Sequence, residues 1–309
     1  MDLIPLTDIE LVPKPPYNFF FSAAIFSGGD PAIRTYEHGV YRQALEIEGQ
    51  PFAIRLRTDE DKYPSRLILS VFPDPSDTGV GEAPFRDAVI SMFNIYDDLI
   101  PFYEAVGNDR IMGRIARKLE GLKAPTTPTV FEALTDSVIE QQISLNVAHV
   151  LQNRLIRAAG TQLHDGSLTY YCYPTPGTLA AAPRELFREC GMSARKGEYI
   201  RGISAAIVSG DLDVEMFRGY PDTEQIIEQM TKIRGIGKWT AELTILRGIH
   251  RLDAFPADDV ALRRIIAGFY KNGQRMSAPE ARAISENWGE FKGLAAFYLE
   301  IADRLGIVP

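Results

Sequence analysis

Two adjacent carboxylates, Asp258 and Asp259, stand directly ahead of the helical pattern Val260-Ala261-Leu262-Arg263-Arg264-Ile265-Ile266. Aspartate is a favoured helix N-cap, so one of the pair is expected to cap this helix while the other points into a cleft. An ionised carboxylate beside a carbon that turns cationic stabilises the developing charge, and it can also orient or deprotonate an attacking water. Upstream, Lys232-Ile233-Arg234-Gly235-Ile236-Gly237-Lys238-Trp239-Thr240 reads as a glycine turn between two helices. The first, Gln225–Ile233, is amphipathic through Ile226, Ile227, Met230 and Ile233, and the second runs over Lys238–Arg247. The two glycines permit positive φ and close approach of another backbone, while Ile236 plugs the core. Free amides at the start of the second helix face outward, so Gly235, Gly237, Lys238 and Thr240 form a candidate anion site, with a phosphodiester as the natural ligand.

These residues must be placed by the rest of the chain. From residue 17 to about 72, apolar and polar residues alternate at Tyr41–Leu45, Ile47, Phe52–Leu56 and Leu67–Phe72, and Glu48-Gly49-Gln50 supplies a hairpin turn. A small antiparallel sheet follows. Pro73 to Gly79 is a loop, and from Phe85 onward the spacing is helical, with turns at Gly160–Ser167, Tyr173–Gly177 and Gly219–Pro221. The predicted fold class is α+β: an antiparallel sheet domain over residues 1–84, then a mostly α-helical region over 85–309 with the hairpin at 225–248.

Composition limits the function. The 309 residues are 45% hydrophobic and 24% charged, as in an ordinary globular protein of two or three compact units. No apolar run approaches the roughly 20 residues that span a bilayer, and MDLIPLTDIELVPKPP has neither a basic nor an apolar signal region, so a cytoplasmic, intracellular location is expected. Cys172 and Cys190 are too few for an iron–sulfur cluster and read as buried thiols. His38, His149, His164 and His250 are scattered without ligand spacing, and no P-loop or dinucleotide fingerprint occurs. The net charge of −8 opposes polyanion binding, but its distribution does not: residues 232–275 carry nine basic side chains against four acidic ones.

The order of the glycine hairpin, Trp239-Thr240-Ala241 and the Asp258-Asp259 pair resembles the helix-hairpin-helix (HhH-GPD) DNA glycosylases, most of all the 3-methyladenine DNA glycosylase II branch, with some likeness to 8-oxoguanine glycosylases. Phe131-Glu132-Ala133-Leu134 with Val138 to Ser144 is similar to that family's wedge segment, and Gly191 to Lys196 to its next helix junction. The likeness covers roughly residues 95 to 305 and more loosely Phe19–Arg57. It implies a monofunctional glycosylase of base excision repair that flips a damaged, alkylated base from double-stranded DNA and hydrolyses its N-glycosidic bond.

The same resemblance assigns roles. Asp259 is the expected catalytic carboxylate, with Asp258 a cap or solvent-facing neighbour. Gln142 takes the wedge position, supported by Gln141. Trp239 occupies the position of the lysine nucleophile in bifunctional relatives, and Lys238 lies about 100° round the helix, so no Schiff base and no lyase activity are expected. Trp239, Leu243, Val260 and Glu300 are the expected base pocket. The carbonyls of Ile233, Gly235 and Gly237 are a candidate site for a structural Na+ or K+, no other cofactor is expected, and the chain is expected to be monomeric without a membrane partner. Two other readings stay open: release of 8-oxoguanine or hypoxanthine from the same scaffold, and a non-catalytic module that grips DNA through its hairpin. Each assigned residue also has a plain structural reading: Asp259 as a simple cap, Gln141 and Gln142 as surface amides, and Trp239 as core.

Overall fold

The computed structural model describes residues 8–59, 66–73, 75–164 and 168–308. Strands β1 (Asp8–Leu11), β2 (Arg34–Glu37), β3 (Val40–Ile47), β4 (Gln50–Asp59) and β5 (Arg66–Phe72) form an antiparallel sheet in the order β1-β5-β4-β3-β2. Period-2 alternation puts Tyr41, Leu45, Phe52, Ile54, Leu56, Leu67, Leu69 and Val71 on one face. There they pack with Phe85, Val89, Met92 and Phe93 of helix α1 (Glu82–Phe93). Two tight turns fix the register. His38-Gly39 and Glu48-Gly49 all have positive φ, the arrangement whose twist matches the flanking strands.

β1 and β2 escape a reading by alternation because each has only four residues, too few to show a period. The turn expected at Gly160–Ser167 is instead half of a second hairpin, β6 (Gln162–His164) with β7 (Thr169–Tyr171), residues 165–167 lying outside the described part. Three-residue strands carry no pattern of their own. This pair is held by tertiary contact, with Tyr170 and Cys172 packed on Ala44 and Ala53 of the sheet's other face. Cys172 and Cys190 are both buried and free, and burial pushes the Cys172 thiol up to about 12.

The helical region holds two cores. The first joins α2 (Val130–Glu140), α3 (Leu145–Ala159), α4 (Ala194–Ser209), α5 (Thr223–Met230) and α6 (Lys238–Thr244) through residues such as Leu134, Val138, Ile200, Met230 and Ala241. The second joins Ile100–Val106 and Met112–Lys118 to α7 (Val260–Tyr270) and α8 (Lys292–Arg304) around Phe102, Phe255, Ile266, Trp288 and Tyr298. The chain crosses between them at Ala254-Phe255, whose side chains belong to the first and second core respectively. Hairpin and Asp pair therefore sit on opposite sides of this boundary. No helix among the described residues is long and apolar enough to cross a membrane.

Lys123 fastens the sheet domain to the helices. It is fully buried, and its Nζ donates to the carbonyls of Lys14 and Ile95, both at 2.8 Å, with the Tyr17 ring beneath. Burial pulls its pKa down to about 8. Lys123→Met strips the Lys14 carbonyl of its donor and leaves the Ile95 carbonyl with the Lys14 amide alone, and is expected to cost about 1–3 kcal/mol in urea unfolding, since a buried group left without a partner carries its full desolvation penalty. A loss under about 0.5 kcal/mol, the range of inert surface substitutions, would show that Lys123 is not a structural tie.

Candidate active site

Asp259 is the N-cap of α7. Its Oδ1 accepts from the Leu262 amide at 2.8 Å, and its Oδ2 accepts from the indole Nε1–H of Trp239 at 3.0 Å. Of the two readings of Asp258, cap or solvent-facing neighbour, the second fits. Asp258 is exposed and caps nothing, whereas Asp259 uses one oxygen for the cap and the other at the boundary between the cores.

The hairpin is built from α5 and α6. α5 starts earlier than the sequence pattern suggests because Asp222 caps it, accepting from the Gln225 amide at 2.8 Å. α6 gives way after Thr244 to a π-helical turn, Ile245–Ile249, that ends at His250 with φ 64°. Of the two glycines only Gly235 has positive φ, 96°, and a Cβ there would lie 2.4 Å from the Tyr199 ring. Gly237 has φ −95° and nothing within 4 Å of the same position, so it keeps the hairpin surface bare. The amides of residues 237–240 have no protein acceptor, as the first amides of a helix do not. Thr240 itself is turned inward: it is 2% exposed, and its hydroxyl accepts from Gln141 at 3.0 Å, so only its amide belongs to the outward surface. Lys238 is exposed, with Nζ 3.9 Å from Glu242.

Gln141 closes α2, and its Nε2 also donates to the Gly235 carbonyl at 2.9 Å. Gln142 follows at the tip of the turn into α3, exposed and with φ 59°, a conformation uncommon for a residue with a Cβ. The end of α2 is held from the other side by Lys196, whose Nζ donates to the Ile139 carbonyl at 2.7 Å. Protruding turn, hairpin and carboxylate are thus joined by Gln141 on one side and Trp239 on the other.

The model for HhH-GPD superfamily base excision DNA repair proteins matches residues 135–290, the span that holds all three. The chain belongs to this family. Among its relatives is the DNA-3-methyladenine glycosylase of Bacillus subtilis (strain 168), 34% identical over 209 residues, 67% of this chain and 68% of that one. The 3-methyladenine DNA glycosylase from Archaeoglobus fulgidus superposes with a TM-score of 0.82 at 27% identity, covering 98% of this chain and 100% of its own. The Schizosaccharomyces pombe 3-methyladenine DNA glycosylase, solved with abasic DNA, reaches 0.51 at 25% identity over 72% of this chain and 99% of that one.

Behind the HhH-GPD hairpin lies a feature that sequence reasoning missed. Every residue of α2 is buried, yet Glu132, Asp136 and Glu140 recur at fourfold spacing and so share one face. Arg34 meets Glu132 at 3.2 Å, the Tyr173 hydroxyl donates to Asp136 at 2.9 Å, and Arg247 meets both oxygens of Glu140 at 2.7 Å. Burial, then the neighbouring Glu132, push Asp136 up to about 8. The signal was available: three acids at helical spacing in a helix with no other charged residue.

The expected pocket residues separate. Trp239 is half-buried beside Asp259, and Leu243 is buried in neither helical core. Val260 is 72% exposed; as the first residue of α7 it projects outward and is no wall of an enclosed recess. The side chain of Glu300 on α8 makes no hydrogen bond among the described residues. Burial, resisted by Arg247 and helped by Asp259 and Glu140, pushes it up to about 7. The hairpin carbonyls named for a cation each accept a hydrogen bond already, Ile233 from Ile236, Gly235 from Gln141 and Gly237 from Ala241. A Na+ or K+ there would share these acceptors. Among the described residues no three His, Cys, Asp or Glu side chains converge on a metal position.

The two hairpin glycines should separate on substitution. Gly235→Ala meets both the Tyr199 ring and positive φ, and is expected to destabilise by more than about 1–2 kcal/mol. Gly237→Ala is expected to stay within about 0.5 kcal/mol of wild type, as an unhindered surface change does. Thermal unfolding measures both, and equal losses would contradict the geometry.

Proposed function

We propose that this chain is a monofunctional DNA glycosylase that extrudes an alkylated base from duplex DNA and hydrolyses its N-glycosidic bond. The observation that carries this reading is the Asp259 carboxylate, held by the hairpin's own indole at the boundary between the two cores. The free amides of residues 237–240 receive the backbone beside the lesion, and the exposed Gln142 enters the gap left in the stack, where its amide hydrogen-bonds the orphaned partner base. The names of the relatives support alkylated purines as substrates.

As the C1′–N bond breaks, its electron pair leaves with the base and the sugar becomes an oxocarbenium ion. The Asp259 carboxylate stabilises that ion, and a water then bonds its oxygen to C1′ while Asp259 accepts the proton it loses, which passes to solvent or to the departed base. A lyase step would require an amine at the same carbon. Trp239 fills that place, and Lys238 is engaged by Glu242. A purely DNA-gripping module accounts for the hairpin but not for Asp259, since a carboxylate turned toward a polyanion weakens binding.

Base release from duplexes each carrying one lesion (3-methyladenine, 1-methyladenine, hypoxanthine, 8-oxoguanine, uracil) tests the reading, with and without alkali. Wild type should release a base and leave strands that nick only with alkali, while Asp259→Asn should lose at least about 100-fold in rate yet keep its affinity for DNA. Nicking without alkali, or full activity of Asp259→Asn, would overturn it.

Glu300 bears on the choice of lesion. Ionised, it favours a cationic base such as 3-methyladenine; neutral, it does not. Its charge is present above about pH 7 and lost below. The ratio of 3-methyladenine to hypoxanthine release should therefore rise through this range in wild type and stay flat in Glu300→Gln. An identical profile in both proteins would remove Glu300 from base selection.

A further inference from the structure

Trp239 has more to do than line a pocket. Its indole N–H is the second of two donors on the Asp259 carboxylate, 3.0 Å from Oδ2, opposite the Leu262 amide at 2.8 Å from Oδ1. The main chain of Asp259 is pinned as well, its amide donating to Pro256 at 2.9 Å and its carbonyl accepting from Arg263 at 3.0 Å. One donor alone leaves a carboxylate free to turn about its Cβ–Cγ bond, a broad and soft torsion. Two donors on different oxygens, from elements of different cores, fix its plane.

The donor comes from the hairpin itself. Trp239 is the second residue of α6, within the run of free amides at 237–240, and Gln141 ties that same turn to the protruding Gln142. A backbone seated on the hairpin is then referred to the carboxylate through a single indole. We propose that Trp239 is a positioning residue: its N–H holds the plane of the Asp259 carboxylate at the orientation that C1′ needs as the base departs. This rests on the glycosylase reading above and adds to it. At the position of the lysine nucleophile in bifunctional relatives, this chain carries a group that acts on the aspartate instead of on the sugar.

A tryptophan that merely filled space would be replaceable by any ring of the same shape. The decisive variant therefore substitutes 3-benzothienylalanine at position 239, in which sulfur replaces the N–H and the ring outline is kept, alongside Trp239→Phe. Single-lesion 3-methyladenine duplex is the substrate, and thermal unfolding and affinity for abasic duplex are followed in parallel. A hydrogen bond to a charged group is lost in both variants, so kcat should fall about 10- to 100-fold, with KM and abasic-DNA affinity within about twofold of wild type. Three results would overturn the inference: wild-type kcat in the benzothienyl protein, a loss expressed in KM, or a melting temperature for that protein as low as that of Trp239→Phe. Wild type that released no base from any lesion would instead defeat the glycosylase reading, so the two failures are distinguishable.

Discussion

Much of this structure depends on a carboxylate that satisfies two demands at once. Asp259 must cap α7, because a helix start without an acceptor leaves amides unpaired, and it also accepts the indole N–H of Trp239 at the boundary between two cores. A side chain with two oxygens can do both, and here each oxygen has its own donor. The hairpin supplies one donor, which places α6 in contact with α7 although their apolar faces belong to different cores. Hairpin and carboxylate are thereby joined through a single indole N–H.

Charge placement follows from that arrangement. The net charge is −8, yet the hairpin segment is basic, and the groups it leaves free are largely backbone amides. Amides oriented by a fold cost no side-chain entropy and need no counter-charge, so a polyanion can be held by a chain that is acidic overall. Behind the hairpin the acids of α2 are kept in a dry helix by partners from three places: Arg34 of the sheet domain, Tyr173 of the loop after β7, and Arg247 of the π-helical turn. Arg247 then answers to both Glu140 and Glu300, and burial, only partly opposed by Arg247, raises the Glu300 carboxyl to about 7. Buried acids of this kind add little net stability, but each demands a particular partner and so couples the sheet, the helical core and the pocket.

Sequence made the chemistry legible wherever local rules and function agree. Gly235-Ile236-Gly237 is a turn under any tertiary arrangement, an Asp ahead of Val260-Ala261-Leu262 is a helix start, and alternation over Tyr41–Leu56 is a strand pair; all are found in place. Their joint order carried the family resemblance. Local rules failed for short or context-dependent elements. β6 and β7 have three residues each and exist because the sheet offers a surface, and Thr240, read as outward from its place beside the hairpin, turns inward to meet Gln141.

What the sequence determined alone is the set of parts: a sheet followed by helices, a glycine hairpin and an aspartate at a helix start. These depend on interactions within a few residues, where hydrogen-bond geometry and side-chain periodicity act directly. Only the tertiary structure decided which oxygen of Asp259 meets Trp239, that Val260 faces solvent, that α2 is buried with its acids inside, and that Glu300 stands unpaired near Arg247. Those outcomes are set by contacts between residues from about 20 to 160 positions apart, such as Trp239 with Asp259 and Glu140 with Glu300. Their strength depends on burial and on which partner arrives, and neither is written into the local pattern.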